Sequence, residues 1–253
     1  ETLFMPNTFS HYSKYYDLLY EDKDYYKESE YIHNIIQEHT QSNKASILEL
    51  GCGTGAHAKY LTKYGYEIFG IDKSEIMISM ALSIDNFECI EGDMCDFDLD
   101  KKFDNVVSLF HVMSYINSNN DLNKVFSNVS RHINKGGLFI FDVWYSPAVY
   151  SIKPSKKNKI FEDHEMKIER NAKPEVDYIN NLVEVNYQIT VTDKKNDQSF
   201  DINESHNMRH FSVNEISLFA DIHGFELVVS EELITKLNLG KSTWGACFTL
   251  RKI

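Results

Sequence analysis

Three observations in the sequence predict an α/β fold with a doubly wound, mostly parallel sheet. Short apolar runs typical of buried parallel strands begin near residues 47, 67, 87, 103 and 138. Helical spacing separates these runs, most clearly in the apolar stripe Leu122, Val125, Phe126, Val129 and Ile133. After about residue 146 the pattern changes to β-branched, alternating segments with turn signals between them. We therefore expect the chain to continue as an antiparallel β-hairpin layer inserted after the fifth strand.

Composition restricts the classes of function. Of the 253 residues 42% are hydrophobic, which suits one domain of ordinary size with an inserted element. The net charge of −12 argues against a nucleic-acid-binding surface, which needs a basic face. The four cysteines form no C-x-x-C pair, so they indicate neither a metal site nor a redox motif. Because no apolar run approaches ~18 residues and no signal-peptide pattern is present, we expect a cytoplasmic protein.

The first strand and the glycines after it predict a ligand-binding loop. Residues 47–50 form a short apolar run around Glu49, and Gly51, Gly53 and Gly55 follow directly before a helical pattern over 56–64. Glycines let the backbone approach a ligand closely, and the first helical turn offers free N–H groups and a positive dipole end. A plain strand-to-helix turn would not require three glycines at alternate positions, since each costs conformational entropy.

Two cofactors compete for this loop. Gly51, Gly53 and Ala56 satisfy the dinucleotide pattern G-x-G-x-x-G/A, and Asp72 follows about 20 residues later, where a ribose-binding acid belongs. A short-chain dehydrogenase would also carry Tyr-x-x-x-Lys, and none of the fifteen tyrosines has a lysine four residues later. Glu49, the third alternate glycine and the run Gly92-Asp93-Met94 favour S-adenosylmethionine instead.

The run Glu49-Leu50-Gly51-Cys52-Gly53-Thr54-Gly55 resembles the first motif of the class I S-adenosylmethionine-dependent methyltransferases. The resemblance covers roughly residues 10–250. It implies a Rossmann-like sheet of seven strands, the last of them antiparallel to the others. It also implies S-adenosylmethionine as the cofactor, bound in part by Glu49, Gly51 and Gly53.

The same resemblance assigns the ribose and the adenine of the cofactor to the ends of the second and third strands. Asp72 would accept both ribose hydroxyls; its alternative role is a helix N-cap, which Ser74 fills better. The Asp93 carboxylate would bind the adenine amino group and the Met94 backbone would lie against the ring, with an acidic turn as the alternative. Two neighbours complete the predicted cofactor contacts, Lys73 and Met77.

Residues 8–26 contain six tyrosines, a density that suits either helix packing or a lid. The pattern Tyr16-Asp17-Leu18-Leu19-Tyr20 resembles the N-terminal lid of methyltransferases that act on amino sugars, where tyrosines close over the methionine end of the cofactor. A phenol ring excludes water while its hydroxyl can bond a carboxylate. We therefore expect Tyr12 and Tyr25 to contact the cofactor and Tyr20 to take part in catalysis.

Side chains near the reacting methyl group are expected after the fourth and fifth strands. The fourth strand ends in Ser108-Leu109-Phe110-His111, and we expect Phe110 to contact the cofactor. His111 is a candidate catalytic residue, because histidine titrates near neutral pH; it could take the acceptor's proton, orient the acceptor or stack on the cofactor. Trp144 and Tyr145 end the fifth strand and are expected at the acceptor. The Asn/Asp-Pro-Pro-Tyr signature of enzymes that methylate planar nitrogens does not occur.

We expect a single domain of 1–253 with four parts. These are a tyrosine-rich lid (1–40), a cofactor-binding core (41–145), an antiparallel layer over the substrate (146–211), and the last helix and strands (212–253). His206 and Arg209 lie in the last strand of the layer and are expected at the acceptor. Lys156 and Lys157 belong to a basic cluster that is either a solvated loop or a contact for the diphosphate of a nucleotide-linked substrate.

The lid and the hairpin layer look most like the N-methyltransferases of nucleotide-linked amino sugars. The expected function is methyl transfer from S-adenosylmethionine to a small-molecule acceptor, the amine of such a sugar. An O-methyltransferase of a small hydroxylated metabolite would share every cofactor residue and need a stronger base. A non-catalytic S-adenosylmethionine-binding protein would bind the cofactor without turnover. Neither a metal, a nucleic acid nor a membrane is an expected partner, and a homodimer is left open.

Overall fold

The computed structural model describes residues 18–19, 23–40 and 46–253, which group into two compact units. The larger unit consists of Tyr25–Lys153, Tyr178–Leu182 and Asn207–Ile253. The smaller unit consists of Pro154–Asp177 and Val183–His206 together with the described residues before Tyr25. The four-part division of one domain stays a prediction.

In the larger unit helices and strands alternate up to the third strand, and the fourth strand follows the third with no helix between them. In chain order its elements are α1 (Tyr25–His39), β1 (Ser46–Leu50), α2 (Ala58–Leu61), β2 (Glu67–Asp72), α3 (Glu75–Ser79), β3 (Phe87–Glu91), β4 (Phe103–Ser108), α4 (Asn119–His132), β5 (Ile133–Tyr145), α5 (Ser146–Ser151), the end of β9 (Gln198–Phe211), α6 (Val213–Ile222), β10 (Phe225–Glu232) and β11 (Gly245–Lys252). Two short 3₁₀ helices lie at Thr62–Tyr64 and Val112–Tyr115. No helix of the described residues is long and apolar enough to cross a membrane.

Seven strands of the larger unit's sheet follow the order β3-β2-β1-β4-β5-β11-β10, and the end of β9 also pairs in parallel with the last two residues of β5. β1 to β5 pair in parallel, whereas β11 is antiparallel to both β5 and β10. This confirms the predicted doubly wound sheet with an antiparallel last strand. The strand order reverses between β1 and β4, and ligands of such sheets bind at the carboxyl ends of the strands at that point.

Two apolar layers bury the sheet from both sides. Along β5 the side chains of Phe139 and Phe141 belong to one core cluster, while Leu138 and Ile140 between them belong to the other. This alternation is the period of two that a strand imposes. From Leu138 to Val143 every residue of β5 is buried, as expected for a central strand. Asp142 is the one polar residue in that stretch.

The smaller unit is a layer of strands. β6 (Lys157–Glu162), β7 (Met166–Asp177), β8 (Leu182–Asp193) and the start of β9 pair in that order, and β6 is antiparallel to β7. Its core contains side chains from β7 and β8 together with two from the N-terminal region: Met166, Ile168, Ile189, Val191, Leu18 and Leu19. The inserted β layer is thus confirmed. The sequence reading missed β6, because its mostly exposed residues Lys-Asn-Lys-Ile-Phe-Glu lack an apolar face.

Three further boundaries differ from the sequence-based expectation. The fifth strand begins at Ile133 and not near residue 138, so Ile133 belongs to β5 and not to the helix before it. The fourth strand ends at Ser108 and not at Phe110, because Phe110 and His111 have left-handed backbone angles of φ 67° and 59°. The helix expected over 56–64 begins only at Ala58 and continues as a 3₁₀ turn, since the glycine loop extends into it.

Candidate active site

The glycine loop joins β1 to α2 and is held against the end of β2. The backbone N–H groups of Gly51 and Cys52 both donate to the carbonyl of Ile71, at 2.7 and 3.2 Å. Gly51, Gly53 and Gly55 all have positive φ angles, of 73°, 53° and 83°. Residues with a side chain rarely adopt positive φ angles, so glycine is favoured at each of these positions by the backbone conformation alone.

The three glycines differ in what surrounds them. A Cβ on Gly51 would overlap the side chain of Val112, and a Cβ on Gly55 would overlap Phe87. A Cβ on Gly53 would meet no atom within 4 Å. Gly51 and Gly55 are therefore required by packing within the protein, whereas the position of a Cβ on Gly53 is an opening beside the backbone. That opening can accept a ligand.

Asp72 at the end of β2 links the glycine loop to the next helix. Its Oδ2 accepts a hydrogen bond from the backbone N–H of Gly53 at 2.8 Å, and its Oδ1 accepts from that of Ser74 at 2.9 Å. Ser74 is the N-cap of α3, where its hydroxyl accepts from the backbone N–H of Met77. The predicted capping role of Ser74 is thus confirmed. Each carboxylate oxygen of Asp72 keeps a lone pair for a hydroxyl donor.

The end of β3 lies beside the end of β2. Lys73 Nζ is 2.9 Å from Asp93 Oδ2, and Asp93 Oδ1 accepts from the backbone N–H of Cys95. Burial alone would raise the pKa of Asp93, but the Cys95 hydrogen bond and the Lys73 ammonium outweigh it and lower the pKa. The half-buried Met94 follows, and its carbonyl accepts from the Asn128 amide at 3.2 Å.

Glu49, the acid of the motif, belongs to a buried charged triad. His57 Nδ1 is 3.4 Å from Glu49 Oε1, and His57 Nε2 is 2.7 Å from Glu28 Oε2 on α1. Burial favours the neutral imidazole, yet hydrogen bonds to Glu28 and Glu49 prevail and raise the pKa of His57 to about 9. Glu49 Oε2 is buried and has no hydrogen-bond partner among the described residues. Tyr25 lies edge-on to His57, with ring centroids 5.0 Å apart.

His111 lies beside a second acid, at the start of the 3₁₀ turn that follows β4. Its Nδ1 is 2.6 Å from Oδ2 of Asp142 on β5. The same oxygen accepts a hydrogen bond from the backbone N–H of His111 at 3.1 Å. Phe110 and His111 both have left-handed backbone angles, and the Asp142 carboxylate accepts a hydrogen bond from the backbone of the second one, His111. Unfavourable backbone angles of this kind cluster at functional sites.

Aromatic residues line the region next to His111. The rings of Trp144 and Trp244 meet edge to face with centroids 6.2 Å apart, and a Cβ on Gly245 would be 3.3 Å from His111 Cε1. The backbone N–H of Tyr145 donates to the carbonyl of Trp244. The start of β11 therefore brings Trp244 to the two aromatic residues that were predicted at the acceptor.

Two predicted acceptor residues have partners of their own. Arg209 is 6% exposed, and its guanidinium bonds Glu215 and Asn119. His206 belongs to the smaller unit, where its Nε2 is 3.2 Å from Glu204. Their roles at an acceptor stay predictions, and for Arg209 the ion pair supplies a structural role. Tyr12 and Tyr20 lie outside the described residues.

The parallel sheet brings most of the predicted residues to one edge. Those that follow β1 to β5 in the larger unit are Gly51, Gly53, Asp72, Lys73, Asp93, Met94, Phe110, His111, Trp144 and Tyr145. Four residues were missed: Glu28, His57, Asp142 and Trp244. Asp142 had a signal, because it is an acid within a run of apolar strand residues. A single sequence carries no sign that Glu28 and His57 meet, since they are 29 residues apart.

Comparison with known proteins identifies the fold and its relatives. Residues 47–137 match the family model of the methyltransferase domain. A dTDP-3-amino-3,4,6-trideoxy-alpha-D-glucopyranose N,N-dimethyltransferase from Streptomyces venezuelae is 31% identical over 139 residues, 54% of this chain and 58% of that protein. A dTDP-4-amino-2,3,4,6-tetradeoxy-D-glucose N,N-dimethyltransferase from Saccharopolyspora spinosa is 31% identical over 103 residues, 40% and 41% of the two chains. The chain spans about half the length of the curated relatives it matches.

Solved structures match over nearly the whole chain. DesVI from Streptomyces venezuelae superposes with a TM-score of 0.80 at 21% identity, covering 99% of this chain and 100% of that one. An S-adenosylmethionine-dependent methyltransferase from Clostridium acetobutylicum gives a TM-score of 0.79 at 22% identity, covering 97% and 99%. The chain thus has the fold of the S-adenosylmethionine-dependent methyltransferases, and residues 47–137 match the methyltransferase domain family.

Proposed function

We propose that this protein is an enzyme that transfers methyl groups from S-adenosylmethionine to the amine of a nucleotide-linked amino sugar. The observation that carries the proposal is the glycine loop, in which Gly53 leaves an opening beside the bound carboxylate of Asp72. The relatives named as N,N-dimethyltransferases of dTDP-linked amino sugars support the acceptor class.

The polar groups around the loop fit the three polar parts of S-adenosylmethionine. Asp72 has acceptor capacity for ribose hydroxyls, and Asp93 has it for the adenine amino group beside Met94. Glu49 Oε2, buried without a hydrogen-bond partner in the described chain, fits the ammonium of the methionine part. Of the predicted neighbours, Lys73 follows Asp72 in the chain and pairs with Asp93, the backbone of Met77 donates to Ser74, and Tyr25 lies edge-on to His57 of the Glu49 triad.

The bound cofactor supplies an electrophilic methyl group on a sulfonium. The task of the protein is to hold an acceptor lone pair in line with it and to exclude water. Such orientation is worth up to about 7–11 kcal/mol of the barrier. Trp144, Tyr145 and Trp244 supply aromatic side chains for that purpose, and the nearby His111 side chain is 26% exposed. These residues form the acceptor side of the proposed site.

The test uses the purified protein, S-adenosylmethionine and a dTDP-linked 3-amino-6-deoxy sugar, with the matching 3-hydroxy sugar as the alternative acceptor. We expect S-adenosylhomocysteine to form only with the amino sugar, whose mass should increase by one and then by two methyl groups. Methylation of the hydroxy sugar would identify an O-methyltransferase. Cofactor binding without any turnover, over a panel of amino and hydroxy sugars, would identify a non-catalytic binding protein.

The cofactor assignment has its own test in two matched glycine variants. Gly53→Val should abolish S-adenosylmethionine binding, because its side chain would fill the opening. Gly65→Val is the control, since Gly65 also has a positive φ and a Cβ there would also meet no atom within 4 Å. Both variants place a β-branched residue at a positive φ, 53° at Gly53 and 89° at Gly65, but only Gly53 lies in the loop proposed to bind the cofactor. Calorimetric binding of equal strength in the two variants would overturn the assignment.

A further inference from the structure

Asp142 lies in β5 next to His111, and sequence reasoning had assigned it no role. We propose that Asp142 is a positioning residue, which holds His111 with Nδ1 protonated and the Nε2 lone pair available to take a proton from the acceptor. The role of Asp142 in proton transfer rests on the proposed methyl transfer, whereas the contact between Asp142 and His111 does not depend on it. It names the acid that makes a general base of His111.

The first argument is the contact itself. Asp142 is fully buried, whereas the His111 side chain keeps 26% of its surface exposed. The Nδ1 atom is buried and 2.6 Å from the carboxylate. Only one nitrogen of the ring therefore faces the acid. A carboxylate oxygen at this distance from Nδ1 stabilises a proton on that nitrogen, so it favours the tautomer whose Nε2 is the acceptor.

The second argument is that the acid also fixes the backbone of His111. Asp142 Oδ2 accepts from the His111 N–H while it lies beside Nδ1. The same carboxylate oxygen thereby fixes both the main-chain direction and the position of the imidazole ring of His111. The left-handed conformations of Phe110 and His111, which cost about 1–3 kcal/mol each, persist where surrounding contacts impose them.

The third argument concerns the groups beside Asp142 on the neighbouring strand. Its register partner across β11 is Cys247, and Tyr31 contacts Cys247 from α1 while donating a hydrogen bond to Glu231. Burial raises the pKa of both the Cys247 thiol and the Tyr31 phenol, so both stay protonated. Neither group therefore adds a charge to compete with the imidazolium that His111 becomes beside Asp142.

The proton transfer balances as follows. The acceptor enters as an ammonium and gives its proton to His111 Nε2, which turns the ring into an imidazolium beside Asp142. The freed nitrogen lone pair forms the bond to the methyl carbon, while the carbon–sulfur bond breaks and its electron pair stays on sulfur. His111 then releases its proton to water, since its side chain is partly exposed, and the secondary ammonium gives its own proton to the neutral ring before a second transfer. Asp142 keeps its charge throughout.

The first experiment is independent of activity. Protein labelled with ¹⁵N-histidine is examined by NMR at a pH where His111 is neutral, and His111→Gln assigns the signal by its disappearance. We expect the Nδ1–H tautomer, with Nε2 unprotonated. The Nε2–H tautomer would overturn the inference, whatever the protein catalyses.

The second experiment measures turnover. Asp142→Asn keeps the shape and an oxygen for the two donors but removes the charge, and we expect kcat to fall by about 10²-fold. The acidic limb of the kcat/KM profile should also move to lower pH, which a merely structural role would not produce. S-adenosylmethionine affinity should stay unchanged. Asp104→Asn, at the opposite end of the sheet, is the matched control with wild-type kcat.

The double variant completes the test. Because Asp142 acts through His111, adding Asp142→Asn to His111→Gln should lower kcat no further. Additive losses, or a wild-type kcat in Asp142→Asn, would overturn the inference. Absence of methyl transfer in the wild type, over the same panel of acceptors, would overturn the proposed function instead, and the NMR result would still decide the tautomer.

Discussion

Two carboxylate–histidine groups in the larger unit differ in how far water reaches them. The His57 side chain is 7% exposed between Glu28 and Glu49, and both of its ring nitrogens face a carboxylate. The His111 side chain is 26% exposed, and in the described part of the chain only its Nδ1 faces a carboxylate, that of Asp142. The residue types are the same, but one imidazole is closed on both sides and the other is open on one.

The difference separates an anchor from a base. An imidazole with both nitrogens engaged and a pKa raised to about 9 cannot exchange protons with a substrate near neutral pH. It can join α1 to the strand that leads into the glycine loop, because Glu28 and Glu49 lie on those two elements. His111 keeps one nitrogen for chemistry. The number of ring nitrogens that face a carboxylate therefore distinguishes the two histidines better than their distance from the glycine loop.

The largest expected effect breaks the closed group. His57→Ala leaves two buried carboxylates facing each other without a cation, which should lower the free energy of unfolding by about 3–5 kcal/mol. His111→Ala leaves Asp142 with the backbone N–H and should cost less than about 2 kcal/mol. Urea unfolding of both variants at neutral pH measures the contrast. Equal losses would contradict the distinction between the two groups.

The next effect is the pH dependence of the closed group. The pKa of His57 is about 9 in the folded protein and about 6.5 when unfolded. Since the folded value is the higher one, the stabilisation is complete below about pH 6.5 and is lost as the pH rises to about 9, by up to about 3 kcal/mol. His57→Gln should show no such loss. Unfolding free energies of both proteins at several pH values test this, and parallel curves would refute it.

A smaller effect is expected at a carboxylate of intermediate burial. Asp72→Asn replaces one acceptor oxygen by an amide that faces a backbone N–H, and it should weaken S-adenosylmethionine binding by about 1–3 kcal/mol. Asp93→Asn affects a carboxylate whose side chain is 38% exposed, so it should cost less than about 1 kcal/mol. Calorimetry on the two variants compares them. A larger loss for Asp93→Asn would reverse the predicted order of the two sites.

The smallest effect is expected where the charges are fully exposed. Lys156 and Lys157 lie in the smaller unit with their side chains in water. Replacing both with Ala should raise the acceptor KM by less than about tenfold if they meet a diphosphate, and the change should shrink at high salt. Cofactor affinity should not change. An acceptor KM equal to that of the wild type at both salt concentrations would leave them as a solvated surface.

The elements that the sequence predicted well are those whose pattern is local. β3 is found where it was expected, and α6 begins after Ser212, whose hydroxyl caps it by accepting from Glu215 N–H. β6 was missed because an exposed edge strand has no apolar period to read. The predicted fourth strand was too long because the residue types of Phe110 and His111 do not predict a left-handed backbone. That backbone is supported by Asp142, which lies on another strand.

The sequence by itself determined the α/β sheet, the glycine loop and the acids that follow β2 and β3. Buried strands and tight glycine turns are set by residues adjacent in the chain, so their signals are local. Only the tertiary structure decided that Glu28 and Glu49 enclose His57, that Asp142 meets His111, and that Gly53 alone of the three loop glycines faces open space. Those outcomes depend on residues from different elements, and on which atoms remain unpaired after packing, which no spacing along the chain records.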